Sequence, residues 1–155
     1  MNFAAGWGDT DGFDATAGNQ PQYTTLAGNL VGELGIFEKQ SSFWFQAKSC
    51  LNTIVDNVIF NLPRAAINFN DNLGGGTVVA GNVIWNTCRE SGDHGPLNSW
   101  DRLPFLTTFR HGVPSFEPLT NQVFKNFISA DYGGSQVTGH KHSKTSQALA
   151  SGFHY

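Results

Sequence analysis

The chain has 155 residues, enough for one domain with a real core and too few for two. Only 14% of them are charged, against roughly 25% in a typical soluble domain, and 18 glycines among many asparagines and aromatics argue against both disorder and a helical bundle. A formal charge of −3 gives no electrostatic footprint for nucleic acid, and no apolar run approaches the ~20 residues of a membrane span, so neither partner is expected.

Residues 1–24 read as an N-terminal loop or cap. The start "MNFAAGWGDTDG" lacks the basic and apolar regions of a signal peptide, so the chain itself does not indicate its compartment. Asp9, Asp11 and Asp14 have the carboxylate density of a calcium loop but lack the glutamate that closes an EF-hand. A solvated turn loop is expected there, and neither a metal nor another cofactor is assigned.

From residue 25 a weak repeat takes over. "NLVGE" begins at Asn29, "NVIFN" at Asn57, "NVIWN" at Asn82 and "NFISA" at Asn126, each an asparagine opening a short apolar run. Apolar pairs precede these runs at Thr53-Ile54-Val55, Thr77-Val78-Val79 and Gln122-Val123-Phe124. Further strands follow at "SFWFQA" from Ser42 and "AAINFN" from Ala65. The middle interval is 25 residues, and Asn61/Asn86 and Arg64/Arg89 keep it. Strand–turn–strand units recurring at this period predict an all-β, parallel β-solenoid of about four to five coils over residues 25–135. Equivalent asparagines, Asn57 over Asn82, are expected to bond as a ladder.

The intervals run 28, 25 and then 44, so about 19 extra residues fall between Asn82 and Asn126. One long loop excursion is predicted there, and that interval contains "CRESGDHGPLNSWDRLPF", which packs Arg89, Glu90, Asp93, His94, Asp101 and Arg102 into one run. If Ala65, Ile67 and Phe69 point inward, alternation sends Arg64, Asn68 and Asn70 outward. Carrying that register to neighbouring coils puts Trp44 and Asp93 in the row of Asn68, Gln46 in the row of Asn70, and Arg89 in the row of Arg64. Aromatic, amide, carboxylate and guanidinium groups side by side make a sugar-binding inventory.

"CRESGDHGPLNSWDRLPFLT" resembles a signature block of right-handed parallel β-helix proteins of the pectin-lyase-like superfamily. It is similar in particular to β-helical glycoside hydrolases of the β-xylosidase type, over about Leu26 to Gln136. The resemblance implies a right-handed coil and a carbohydrate-active role on a polysaccharide or oligosaccharide. It puts Asp93 and His94 in a cleft shaped by Asn98, Trp100 and Arg102. It also implies an extracellular parent family.

Glycoside hydrolysis generally needs two carboxyl groups. Asp93 is the first candidate; Glu90 and Asp101 compete for the second role, with Glu117 further off. Glu90 and Asp101 have a structural alternative as ion-pair partners of Arg89 and Arg102. Glu90 would point inward in a regular strand, unless the strand starts late or an arginine holds the carboxylate. His94 would orient a carboxylate or bind a hydroxyl, or else sit as a turn histidine beside Gly95 and Pro96. Trp44 and Trp100 are stacking platforms or core residues. Arg64 and Arg89 keep open a lyase acting on a uronate. Cys50 and Cys88 fall in non-equivalent rows, so buried thiols are expected rather than a bridge.

After Gln136 the tail "VTGHKHSKTSQALASGFHY" is unlike any coil, and a flexible tail over 136–155 is expected rather than a metal site at His140, His142 and His154. Relatives of this type continue into an acidic Asp-Asp-Gly-Ser stretch that is missing here. The chain therefore reads as a truncated piece of such an enzyme. The alternatives to hydrolysis are a non-catalytic sugar-binding module or an inactive fragment that self-associates through open solenoid ends.

Overall fold

The structure is a computed structural model. It describes residues 4–5, 21–47, 49–70, 75–91, 94–99, 105–110, 113–118 and 120–129, with backbone pairing alone at 4–5, 105–110 and 113–118. Among the described residues the fold is all-β.

Three four-stranded parallel sheets run through it. The first consists of β1 (Ala4–Ala5), β4 (Trp44–Gln46), β7 (Ile67–Phe69) and β10 (Leu97–Ser99). The second consists of β2 (Thr25–Ala27), β5 (Thr53–Val55), β8 (Val78–Ala80) and β13 (Gln122–Phe124). The third consists of β3 (Leu30–Gly32), β6 (Val58–Phe60), β9 (Val83–Trp85) and β14 (Phe127–Ser129). The chain visits the second, third and first sheets in that order on each successive pass, a path compatible with a parallel β-solenoid. Parallel pairing reaches β1, inside the segment expected to be a loop or cap.

In the second and third sheets only the central residue of each three-residue strand points inward. Ile54, Ile59, Val79 and Ile84 are fully buried, with Leu26, Val31, Val123 and Ile128 packed against them. Each such burial contributes about 1.5–3 kcal/mol. This spacing explains why the apolar runs are so short.

A single left-handed residue turns each corner between the second and third sheets. Gly28, Asp56, Gly81 and Lys125 all have φ between 55° and 67°, and each directly precedes a repeat asparagine. The expected ladder follows. Asn29 donates Nδ2 to Oδ1 of Asn57 at 2.8 Å, Asn57 to Asn82 at 2.9 Å and Asn82 to Asn126 at 2.9 Å. The same Oδ1 atoms accept backbone N–H groups of the preceding asparagine, at 3.0, 3.0 and 2.9 Å. The backbone N–H groups of the corner asparagines Asn29, Asn57 and Asn82 are satisfied this way.

The extra residues between Asn82 and Asn126 fall in two places. The connection from β9 to β10 is longer than that from β6 to β7, and a larger insertion follows β10. That second insertion contains an antiparallel hairpin, β11 (Phe105–Arg110) with β12 (Val113–Pro118). The charged block is therefore not itself the main excursion. Its first half stays in the solenoid path: Cys88 donates its N–H to Arg64 O at 3.1 Å, Arg89 to Leu62 O at 3.1 Å and Glu90 to Pro63 O at 3.0 Å. After the hairpin β13 resumes beside β8, with Gln122 against Val78.

The expected register of the first sheet needs correction. Trp44 pairs with Ile67 and Gln46 with Phe69, so both point inward, and Asn98 rather than Asp93 lies over Asn68. The reason is loop length. The connections between the third and first sheets differ from pass to pass, so an interval measured on the asparagine ladder does not carry over, and a slip of one residue reverses every side chain. Cys50 and Cys88 are buried and not joined by a disulfide, as expected.

Candidate functional site

The connections that lead from the third sheet into the first form three stacked arms: residues 33–43, 61–66 and 86–96. The outer arms are long and the middle one is short. Each begins with a left-handed residue, Glu33, Asn61 or Asn86, at φ of 56°, 56° and 48°. Asn86 donates Nδ2 to Asn61 Oδ1 at 2.6 Å, and Asn61 in turn donates to Glu33 Oε1, so a second, shorter ladder ends on a carboxylate.

Two ion pairs join the outer arms across the middle one. Lys39 Nζ meets Glu90 Oε1 at 2.8 Å, and Arg89 Nη1 meets Glu33 Oε2 at 3.4 Å. Their side chains are about half exposed, so each pair contributes under about 1 kcal/mol. Glu90 thus lies in the turn before a late-starting strand, held by Lys39 rather than by an arginine. Arg89 is not in the row of Arg64; its charge is taken by Glu33.

The residue beside Arg64 is His94. Arg64 Nη2 lies 2.8 Å from His94 Nε2, and Arg64 Nη1 donates to Gln40 Oε1. A guanidinium can only donate, so Nε2 of His94 accepts and the ring proton sits on Nδ1. That proton points at Ser91 Oγ, 2.6 Å away. His94 is therefore held in one tautomer between a cation and a hydroxyl.

Four residues further along the chain on each pass, Asn98 donates Nδ2 to Asn68 Oδ1 at 2.9 Å. Asn68 faces outward by alternation yet is 0% exposed, so that part of the sheet's outer face is covered. Asn68 is held against Asn98, which is partly exposed.

Trp44 is 1% exposed and belongs to the core, which removes it as a stacking platform. Its Nε1 donates to Gln46 Oε1 at 3.0 Å, and the same oxygen accepts from Thr77 Oγ1 at 3.2 Å and Asn52 Nδ2 at 3.3 Å. This interior polar network was missed because Gln46 was assigned to the outer face. Gln40, Ser91 and Lys39 were also missed; they lie on arms of unequal length and so share no spacing with their partners. On the first arm Phe37 is 98% exposed, a ring available where Trp44 is not.

Asp93, Trp100, Asp101 and Arg102 lie outside the described residues, as do Asp9, Asp11, Asp14 and the tail histidines. The side chain of Glu117, on β12, is likewise undescribed. Among the described residues no group of three or more His, Cys, Asp or Glu is placed to hold a metal ion.

The fold and the arms define an all-β protein with parallel strands in three sheets and a polar cluster along one edge of the first. Comparison with family models, curated proteins and solved structures found no match to this chain.

Proposed function

We propose that the chain is a carbohydrate-active protein of the right-handed parallel β-helix type, with passes closing into about four to five coils. It engages a polysaccharide or oligosaccharide along the edge where the arms enter the first sheet. The observation that carries this reading is the double pairing Arg64–His94 and Asn68–Asn98, both across 30 residues. It aligns a guanidinium, an imidazole and a carboxamide along two neighbouring passes of the chain. Fixed, planar hydrogen-bonding groups of this kind suit sugar hydroxyls and carboxylates. Phe37 supplies an exposed ring on the adjoining arm.

Asp93, immediately before His94 in the chain, carries the acid/base or nucleophilic work in a hydrolytic mechanism, with Asp101 the leading candidate for the second carboxyl group. Glu90 is the weaker candidate, because its carboxylate is paired with Lys39. That pairing also favours a second reading, a sugar-binding module without turnover.

Reducing-sugar release from a xylan and pectin panel, lost in Asp93→Asn, is the expected result for hydrolysis. Absorbance from an unsaturated uronate product assigns a lyase instead. Binding without turnover selects the module, and absence of both binding and turnover rejects the carbohydrate reading.

A further inference from the structure

We infer that Arg64 anchors an anionic group on the bound sugar, a uronate carboxylate or a sulfate ester; this rests on the carbohydrate reading above. The argument begins with charge. Two of the three cations on the arms are neutralised: Lys39 by Glu90 at 2.8 Å and Arg89 by Glu33 at 3.4 Å. Among the described residues, Arg64, on the short middle arm between them, meets only the neutral acceptors Gln40 Oε1 and His94 Nε2.

A half-buried guanidinium is ordinarily matched by a carboxylate, since desolvating an unpaired charge is costly. Among the described residues, the flanking-arm carboxylates Glu90 and Glu33 are paired with Lys39 and Arg89, and Glu38 accepts the Gln40 N–H. The two neutral partners fix the plane of the guanidinium without cancelling its charge. Only two of its five N–H donors are used by them, and Nε is buried with no hydrogen-bond partner. The side facing Gln40 remains exposed. A rigid, uncompensated fork open on one side is suited to bidentate capture of an oxyanion.

The same geometry separates two arginines that the sequence treats alike. Arg89 carries its own counter-ion in Glu33, and among the described residues Arg64 has none.

The test is calorimetric titration of the full chain with three probes: neutral xylotetraose, tetragalacturonate and a sulfated xylotetraose. An anionic probe is expected to bind about 10-fold more tightly than the neutral one at low salt, a gap that closes near ~0.5 M salt. Tighter binding of the galacturonate assigns a carboxylate, and tighter binding of the sulfated probe a sulfate ester. Arg64→Gln removes the gap. So does Gln40→Glu, which keeps the side-chain size while placing a carboxylate on Arg64; Arg89→Gln retains it. Equal affinity for neutral and anionic probes, or loss of the gap in Arg89→Gln alone, overturns the inference while leaving the carbohydrate reading intact. Failure of all three probes to bind overturns both.

Discussion

Arg64 and His94 stand 30 residues apart and meet at 2.8 Å, in the same register that brings Asn98 onto Asn68. The asparagine ladder joins the same two passes through Asn57 and Asn82 across 25 residues. Two registers thus coexist in neighbouring strands, and the difference between them is the extra length of the third arm. The ladder fixes the frame, and the arm length determines which side chains reach the edge of the first sheet.

Asn82 is fully buried, donates to Asn126 and Ile54 O, and accepts from Asn57. Asn82→Ala strands several of these groups and is expected to destabilise the protein by about 3 kcal/mol. Asn29→Ala, at the exposed end of the ladder, is expected to cost under about 1 kcal/mol. Urea midpoints at an unchanged m-value measure both.

Gly81 and Gly28 occupy equivalent corners, each with φ of +67°. A Cβ at Gly28 meets nothing, whereas one at Gly81 overlaps Asp56 Oδ1. Gly28→Ala should therefore cost only the left-handed penalty, about 1–2 kcal/mol, and Gly81→Ala distinctly more. Adding Asp56→Gly should recover part of the Gly81→Ala loss but none of the Gly28→Ala loss, as a double-mutant cycle will read.

Much of the frame was legible in the sequence because its cause is local. A corner residue, an asparagine and an inward apolar residue must recur together, so Asn57 and Asn82 could be matched by spacing alone. The first sheet was not legible in the same way. Its position relative to the ladder depends on arms of different lengths, and a slip of one residue turned Trp44 and Gln46 from outer face to core. Glu90 and Arg89 likewise appeared to be site residues, and became ion-pair partners of Lys39 and Glu33 only when the arms were stacked. Ion pairs between residues so far apart in the chain leave no periodic signal.

Trp44 is expected to act on stability and not on binding. Trp44→Phe keeps most of the apolar burial but removes the N–H donated to Gln46 Oε1. A loss of about 1–2 kcal/mol in unfolding free energy is predicted, with sugar affinity unchanged. Weakened sugar binding in a fully folded Trp44→Phe protein contradicts the core assignment.

Glu90→Gln should change unfolding free energy by under about 1 kcal/mol, since its pair with Lys39 is half exposed. The effect should shrink further at high salt. A double-mutant cycle with Lys39→Met isolates the pairing energy. A much larger coupling means that the two outer arms are held together more strongly than a surface ion pair allows.

The most direct test of the central claim is an NMR titration of isotope-labelled protein with xylan-derived and pectin-derived oligosaccharides. Saturable shifts are predicted at the Arg64 guanidinium, the His94 ring and the Asn98 side-chain amide, with the Asn57 and Asn82 amides unmoved. Unchanged Arg64, His94 and Asn98 signals at millimolar oligosaccharide contradict the account.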